Sequence, residues 1–197
     1  MSRVAPRLIL GSSSPQRIEL LRQIEIIPNL IQPADIDETP RKGEKADQYC
    51  LRMALEKNAA LAEQFPNDFI LTGDTICVVG TRIIGKAGNA EEQKKFLRLF
   101  SGRSHRVVSA IALRNSQGKV SSRLSSTRVT VKRLSEEEIA FYIAHPDWQG
   151  RSGYRFSGVF SRYITKVQGS VSGIIGLPLY ETMQLLNGSG YKINTGI

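Results

Sequence analysis

The spacing of apolar residues in the first third of the chain predicts strands that are separated by helices. Residues 7–10 form a short apolar run that leads into a glycine and three serines, as a buried strand entering a loop would. From Pro15 onward apolar residues recur at helical spacing, with Ser14 at the N-cap position. Residues 29–32 then predict a second strand, and residues 45–65 predict a long helix.

Beyond residue 65 β-branched residues become frequent, and hairpins are mixed with helices. The predicted elements are a central strand at 68–79, a return strand at 82–84, a helix at 90–100, an antiparallel pair at 106–113 and 122–132, a helix at 134–144, a strand at 160–167 and a helix at 178–186. The glycine-rich stretches 150–158 and 169–176 are predicted as loops. This order predicts an α/β fold with a mixed sheet and flanking helices. No linker-like stretch divides the chain, so residues 1–197 are expected to form a single domain.

Composition limits the compartment and the kind of chemistry. No apolar run approaches the roughly 20 residues of a membrane span, and residues 1–6 lack the apolar core of a signal peptide, so we expect a cytoplasmic protein with no membrane partner. Cys50 and Cys77 lie far apart, without a Cys or His neighbour at metal-ligand spacing, and are expected to be buried thiols. With two histidines and no G-x-S-x-G motif, an acyl-enzyme route is unsupported. Carboxylates and lysines are therefore the candidate acids and bases.

The charge balance favours an anionic partner. The chain has 27 Lys and Arg against 18 Asp and Glu, a formal net charge of +9, and phosphate groups are the obvious candidates. Much of the excess lies between Arg103 and Arg133, where the solvated face of two strands is the simpler interpretation. No nucleic-acid motif accompanies these charges, so a nucleic-acid partner is the weaker alternative.

The junction of the first strand and the first helix carries groups that suit phosphate binding. Ser12 and Arg17 lie there, beside the N-terminus of a helix, whose backbone N–H groups are unsatisfied and carry partial positive charge. Hydroxyl and guanidinium groups add further donors for phosphate oxygens. A serine-capped helix with a surface arginine explains the same residues equally well.

Carboxylates and lysines occur at three other places. Asp74 follows Gly73 in an otherwise apolar strand, where a carboxylate is costly unless it is paired, hydrogen-bonded or bound to a metal. Glu38 lies in an acidic loop, and its simpler interpretation is a solvated turn. Lys57 and Lys86 have an equally simple interpretation as surface lysines. Asp74 is therefore the strongest single candidate for a functional role.

The order of the short motifs is more specific than any one of them. In chain order they are L-I-L-G-S-S-S-P-Q-R-I-E-L-L, D-I-D-E-T-P, R-M-A-L-E-K, G-D-T, G-K, F-S-G-R-S-H-R-V and G-S-V-S-G-I-I-G-L-P-L-Y-E-T. With these motifs the chain resembles the Maf family of nucleotide pyrophosphatases, from Leu8 to about Leu186. The resemblance implies a twisted mixed sheet in two lobes around a deep cleft, as in the inosine triphosphate pyrophosphatases, and a homodimer.

The resemblance also implies a role for each candidate. Four residues would contact the triphosphate: Ser12 and Arg17 as donors, Lys57 and Lys86 as neutralising cations. Glu38 and Asp74 would hold a divalent cation, Mg²⁺ or Mn²⁺, and Asp74 would also orient or deprotonate the attacking water. The implied reaction is hydrolysis of a nucleoside triphosphate between the α and β phosphates to the monophosphate and pyrophosphate. Cations and hydrogen-bond donors are what the charge of a transferring phosphoryl group requires.

The residue after Asp74 bears on the choice of base. Thr75 resembles the members of the family that accept dTTP and UTP, whereas members with Gln there prefer 7-methyl-GTP. We expect the Thr75 side chain to hydrogen-bond the edge of a pyrimidine. Ser157, also a substrate-binding candidate, stands where such members have Gln. Other departures are Gln16 in place of Arg, Gly173 in place of a frequent Asn, and a segment 150–162 that is a few residues shorter.

Two alternative functions stay open on the sequence. One keeps the reaction and changes the substrate to purines of the ITP and XTP type. The other is a non-enzymatic basic regulator of cell division that binds nucleic acid or a protein partner. The regulator accounts for the net charge but not for the carboxylates.

Overall fold

The computed structural model describes residues 6–192, so the expectation about a leader peptide largely lies outside the described residues. The strands are β1 (Leu8–Leu10), β2 (Leu30–Ile31), β3 (Phe69–Val79), β4 (Arg82–Ile84), β5 (Ser104–Arg114), β6 (Val120–Val131) and β7 (Ile164–Gln168). The helices are α1 (Pro15–Gln23), α2 (Ala46–Ala62), α3 (Ala90–Phe100), α4 (Glu136–Ile143), α5 (Val171–Ile175) and α6 (Leu179–Gly188). Two 3-10 segments cover Pro146–Trp148 and Val159–Tyr163.

The seven strands form one mixed sheet, and β3 is its central strand. The order is β2-β1-β3-β5-β6-β7, with β4 also paired to β3. One edge of β3 runs antiparallel to β5 over residues 70–78. The other edge pairs with β1 at residues 69–71, in parallel, and with β4 at residues 77–79, antiparallel. Between these two partners, residues 72–76 have no strand beside them within the described chain, so the sheet has a gap there.

The two faces of the sheet are covered differently. On one face, Ile76 and Val78 pack beneath α2. On the other face two apolar clusters lie apart: Leu71 packs with α1 and α6, and Cys77 packs with α3 and α4. These clusters are the cores of two lobes, and a cleft is lined from both of them, for example by Ile175 and Cys77.

The fold class predicted from the sequence is confirmed, and two local predictions are wrong. Residues 160–163 belong to a 3-10 segment, and the strand begins only at Ile164. Phe160 and Tyr163 are both buried, and a spacing of three residues puts them on one side of a 3-10 turn. The expected loop at 169–176 contains α5, because Ser170 accepts a hydrogen bond from the N–H of Gly173 and starts a helix. Among the described helices, none combines the length and the apolar character needed to cross a membrane.

A buried histidine lies within the aromatic cluster of the second lobe. The His105 ring is 4.5 Å from that of Phe100, and its Nε2 lies 2.7 Å from the hydroxyl of Tyr154. Only 2% of His105 is exposed, and its Nδ1 has no partner among the described residues. Burial lowers the pKa of His105 to about 4, so the ring is neutral in the folded protein near pH 7.

We predict that His105 makes the protein lose stability as the pH falls from 6.5 to 4. In this range the unfolded chain binds a proton at His105 and the folded chain does not, so acidification favours unfolding, by up to about 3 kcal/mol. Urea unfolding across this range measures the effect, and His105→Gln should flatten the slope. His145→Gln removes the other histidine and should keep the wild-type slope. Equal slopes for the wild type and His105→Gln would contradict the prediction.

Candidate active site

The cleft opens where β3 changes its partner. Its volume is about 480 Å³, within the range of roughly 300–1,000 Å³ that is usual for small-molecule sites. The turn after β1 lines one side, and the other side is lined by Lys86, residues 150–152 and Tyr154. Asp74 and Thr75 point to opposite faces of β3 and still both line the cleft, because the strand edge between those faces is unpaired. A crevice at the carboxyl end of a parallel strand is the usual ligand site of an open α/β sheet.

The turn after β1 brings a hydroxyl group and a guanidinium group together. Gly11 donates its N–H to the carbonyl of Leu71 at 2.8 Å, and a Cβ at Gly11 would clash with the Thr72 side chain. Only glycine therefore allows the turn to approach β3 this closely. Ser12 is buried next to it, and its Oγ accepts a hydrogen bond from Nη1 of Arg17 at 3.0 Å.

Arg17 is fixed by three acceptors. Besides Ser12, its Nε donates to the carbonyl of Gly176 at 2.8 Å, and its Nη2 donates to Oγ1 of Thr75 at 3.4 Å. Burial lowers the pKa of Arg17, and the negative charges of Asp74 and Glu38 oppose this effect. The guanidinium group stays charged at neutral pH. The site thus holds a desolvated cation that faces carboxylates.

Lys57 joins the two carboxylates of the site. Its Nζ lies 2.7 Å from Oε1 of Glu38 and 2.9 Å from Oδ1 of Asp74. Lys57 and Asp74 are buried, with 8% and 9% of their surfaces exposed, whereas Glu38 lies at the surface. Burial raises the pKa of Glu38, but the hydrogen bond and charge of Lys57, with Lys86 and Arg17, outweigh it and hold the pKa below its usual value. Glu38 is therefore ionised at neutral pH.

The segment that carries Glu38 is fastened to α2. It has no regular secondary structure between residues 32 and 45, apart from a turn. The hydroxyl of Tyr49 donates to the backbone carbonyl of Glu38 at 2.8 Å, and Nη2 of Arg52 donates to the carbonyl of Thr39 at 3.2 Å. Arg52 also binds both carboxylate oxygens of Glu44 at 2.6 Å. Burial raises the pKa of Tyr49 to about 12, so its hydroxyl keeps its proton at neutral pH.

The structure brings all but one of the candidate residues into this cleft. The residues that line it are Ser12, Arg17, Glu38, Lys57, Asp74, Thr75 and Lys86. Ser157 is exposed and does not line it; the neighbouring segment contributes Arg151, Ser152 and Tyr154 instead. Ser14 occupies the N-cap position of α1, but its hydroxyl donates to Oε1 of Gln16 at 3.1 Å and does not cap the helix.

Sequence reasoning missed residues that support the site from behind. Tyr49 lines the cleft and holds Glu38, but a tyrosine in a helix carries no signal of that contact. Ser109 is 1% exposed, and its Oγ lies 2.7 Å from Oγ1 of Thr75. A signal for Ser109 was present, because it is a polar residue in the apolar run V-V-S-A-I-A-L, as Asp74 is in its own strand.

Comparisons with known proteins bear on the family and the fold. A sequence model of the family described as Maf-like protein matches residues 7–189. The dTTP/UTP pyrophosphatase of Caulobacter vibrioides is 44% identical over 95% of this chain and 97% of that protein. The dTTP/UTP pyrophosphatase of Hyphomonas neptunium is 46% identical over 94% of this chain and 96% of that protein.

A solved structure supports the fold independently of close sequence similarity. The HAM1 protein from Coxiella burnetii superimposes with a TM-score of 0.55 at 17% identity, covering 93% of this chain and 98% of that one. At this identity the likeness concerns the fold alone. Together with the family match over residues 7–189 and the two close relatives, it leads to one conclusion: the chain belongs to the Maf family.

Proposed function

We propose that this protein hydrolyses nucleoside triphosphates to the monophosphate and pyrophosphate, with dTTP and UTP as its substrates. The observation that carries the proposal is the ammonium group of Lys57, which holds Glu38 and Asp74 together in the cleft that also contains Arg17. The relatives at 44% and 46% identity, both named dTTP/UTP pyrophosphatase, support the same reaction and the same bases.

The cations and donors of the cleft bind the triphosphate. Arg17 and Ser12 hold phosphate oxygens, since a planar guanidinium group and a hydroxyl group are both suited to this. Lys86 is exposed on the opposite wall and neutralises charge from there. Lys57 is buried and stabilises the charge that develops on the phosphoryl group, because an ammonium group in a desolvated site acts more strongly than one in water.

The two carboxylates fit a divalent cation. Oxygens of Glu38 and Asp74 already converge on one ammonium nitrogen, at 2.7 and 2.9 Å. No group of three or more His, Cys, Asp or Glu side chains that suits a metal occurs within residues 6–192. A pair is enough for Mg²⁺, which usually takes one or two carboxylates and completes its shell with water and substrate phosphates. Glu38 and Asp74 would hold Mg²⁺ or Mn²⁺, which polarises phosphoryl oxygens when bound.

Asp74 acts on the attacking water. Its Oδ1 accepts a hydrogen bond from Lys57, which leaves Oδ2 for the water. Asp74 takes a proton as the water oxygen bonds to the α phosphorus, and the bond to the bridging oxygen breaks to release pyrophosphate.

A homodimer in the cytoplasm completes the proposal. The dimer is proposed because the family resemblance implies one. Among the described helices, none is suited to crossing a membrane. Sedimentation velocity of the purified protein tests the dimer.

A nucleotide panel tests the reaction and the choice of base. With Mg²⁺ or Mn²⁺, we expect dTTP and UTP to give the monophosphate and pyrophosphate, and ITP, XTP and 7-methyl-GTP to react more slowly. Ion-exchange chromatography identifies the products. Release of single phosphate groups, or a preference for ITP, would contradict the proposal.

We predict that Asp74→Asn lowers kcat by a factor of about 100 or more, since the loss of a general base usually costs two to four orders of magnitude. The amide keeps the shape of the side chain and loses its charge. Steady-state hydrolysis of dTTP measures the effect. Asp47→Asn is the control, because Asp47 is a surface carboxylate that pairs with Arg106 outside the cleft. Full turnover by Asp74→Asn would rule out its role as the base.

We predict that Tyr49→Phe raises the Mg²⁺ concentration needed for half-maximal activity by a factor of about five, with a smaller change in the KM for dTTP. The variant loses one hydrogen bond to the backbone of Glu38, worth about 1 kcal/mol. Mg²⁺ titrations of dTTP hydrolysis measure it. Tyr180→Phe, at a tyrosine that is 73% exposed, is the control. An unchanged Mg²⁺ requirement would show that the tether does not position Glu38.

A further inference from the structure

The hydroxyl groups of Ser109 and Thr75 form a chain with a fixed direction. Oγ of Ser109 lies 2.6 Å from the carbonyl oxygen of Gly173, which can only accept, so Ser109 donates its single proton there. Oγ1 of Thr75 lies 2.7 Å from the same Ser109 oxygen. Since the proton of Ser109 is already used, Thr75 must donate to Ser109.

The direction of these hydrogen bonds determines whether the Thr75 hydroxyl can donate or accept within the cleft. Its only proton points at Ser109, so it donates neither to the Gly176 carbonyl, 3.4 Å away, nor to a bound nucleotide. Its lone pairs accept from Nη2 of Arg17, and a guanidinium group can only donate. The protons therefore run from Arg17 to Thr75, to Ser109 and to the carbonyl of Gly173.

The hydrogen-bond chain ends at the carbonyl of Gly173, a helix carbonyl that needs a donor. In α5 the N–H groups of both Gly176 and Leu177 bond to the carbonyl of Ser172, which leaves the carbonyl of Gly173 without either of them. Ser109 supplies the missing donor. Ser109 is 1% exposed, so it affects a bound substrate only through the residues that it contacts.

We propose that Ser109 is a positioning residue for nucleotide binding, which orients the Thr75 hydroxyl so that it accepts from Arg17 and holds the guanidinium group for the triphosphate. This inference rests on the proposed function and gives Thr75 a role that the sequence did not suggest. Thr75 acts through Arg17 and as an acceptor, whereas the sequence suggested a side chain that hydrogen-bonds the pyrimidine edge directly. Gly176 and Ser12 fix the other two sides of the same guanidinium group.

The test measures binding and turnover separately. Calorimetry with α,β-imido-dUTP, which is not cleaved between its α and β phosphates, reports affinity, and dTTP hydrolysis reports KM and kcat. Ser109→Ala should weaken binding and raise KM by a factor of about ten, with kcat changed much less, as expected when one or two hydrogen bonds that orient a binding group are lost. Ser109→Thr keeps the hydroxyl and should restore binding to within about threefold. Should Ser109→Ala not fold, Ser109→Cys replaces it, because a thiol is a weak donor.

Two controls separate positioning from general loosening. Ser125→Ala removes a serine directly opposite Ser109 in the sheet, whose hydroxyl bonds to no other described residue, and it should bind like the wild type. In a double-mutant cycle, Ser109→Ala should add nothing in the Thr75→Val background, since the chain is already broken at Thr75. Additive losses, or wild-type affinity of Ser109→Ala, would overturn the inference. Failure of the wild type to bind or hydrolyse any nucleotide would instead overturn the proposed function.

Discussion

The site depends on a lysine that is buried between two carboxylates. A buried ammonium group is costly unless it is paired, and Lys57 meets this condition only where Glu38 and Asp74 both reach it. Since Asp74 comes from the central strand and Glu38 from an irregular segment, the lysine determines where that segment must lie. The tether from Tyr49 and the ion pairs of Arg52, on the same helix as Lys57, have the same effect. The result is a site whose charges are held in place before a substrate arrives, which is how electrostatic stabilisation is made available without reorganisation.

The gap in the sheet beside β3 is where these charged side chains meet. Strand β3 exchanges β1 for β4 along one edge, and the unpaired residues between them include Asp74 and Thr75, which line the cleft. The arrangement also explains why the two lobes have separate cores on one face and share α2 on the other. The cleft lies at the unpaired strand edge, which Asp74 and Lys57 line from the α2 face and Thr75 from the divided face.

Much of this could be predicted from the sequence, because strong periodicity and turn residues mark the elements. The helix at 90–100 and the strand at 82–84 have the predicted bounds, and Asp74 stood out as a carboxylate in an apolar strand. What could not be predicted depends on tertiary contacts. Phe160 and Tyr163 form a 3-10 turn since both are buried in the aromatic cluster, and the β-branched residues that follow at 164–167 do not show this. Ser157 faces outward, although its place in the motif suggested a pocket residue. The direction of the Thr75 hydroxyl follows from counting protons on neighbours that lie far away along the chain.

The unpaired edge of β3 also limits how this gene can vary in length. In an ordinary strand, adjacent residues serve different faces and therefore different neighbours. Here Asp74 and Thr75 line one cleft from two faces, so a single codon inserted or deleted in β3 ahead of Asp74 would move each side chain to the opposite face and also shift the pairing with β5. The turn at Asn115–Gly118, which joins β5 to β6 on the surface, imposes no such restriction. Length variation in relatives is expected to collect at such turns and to spare the eleven residues of β3.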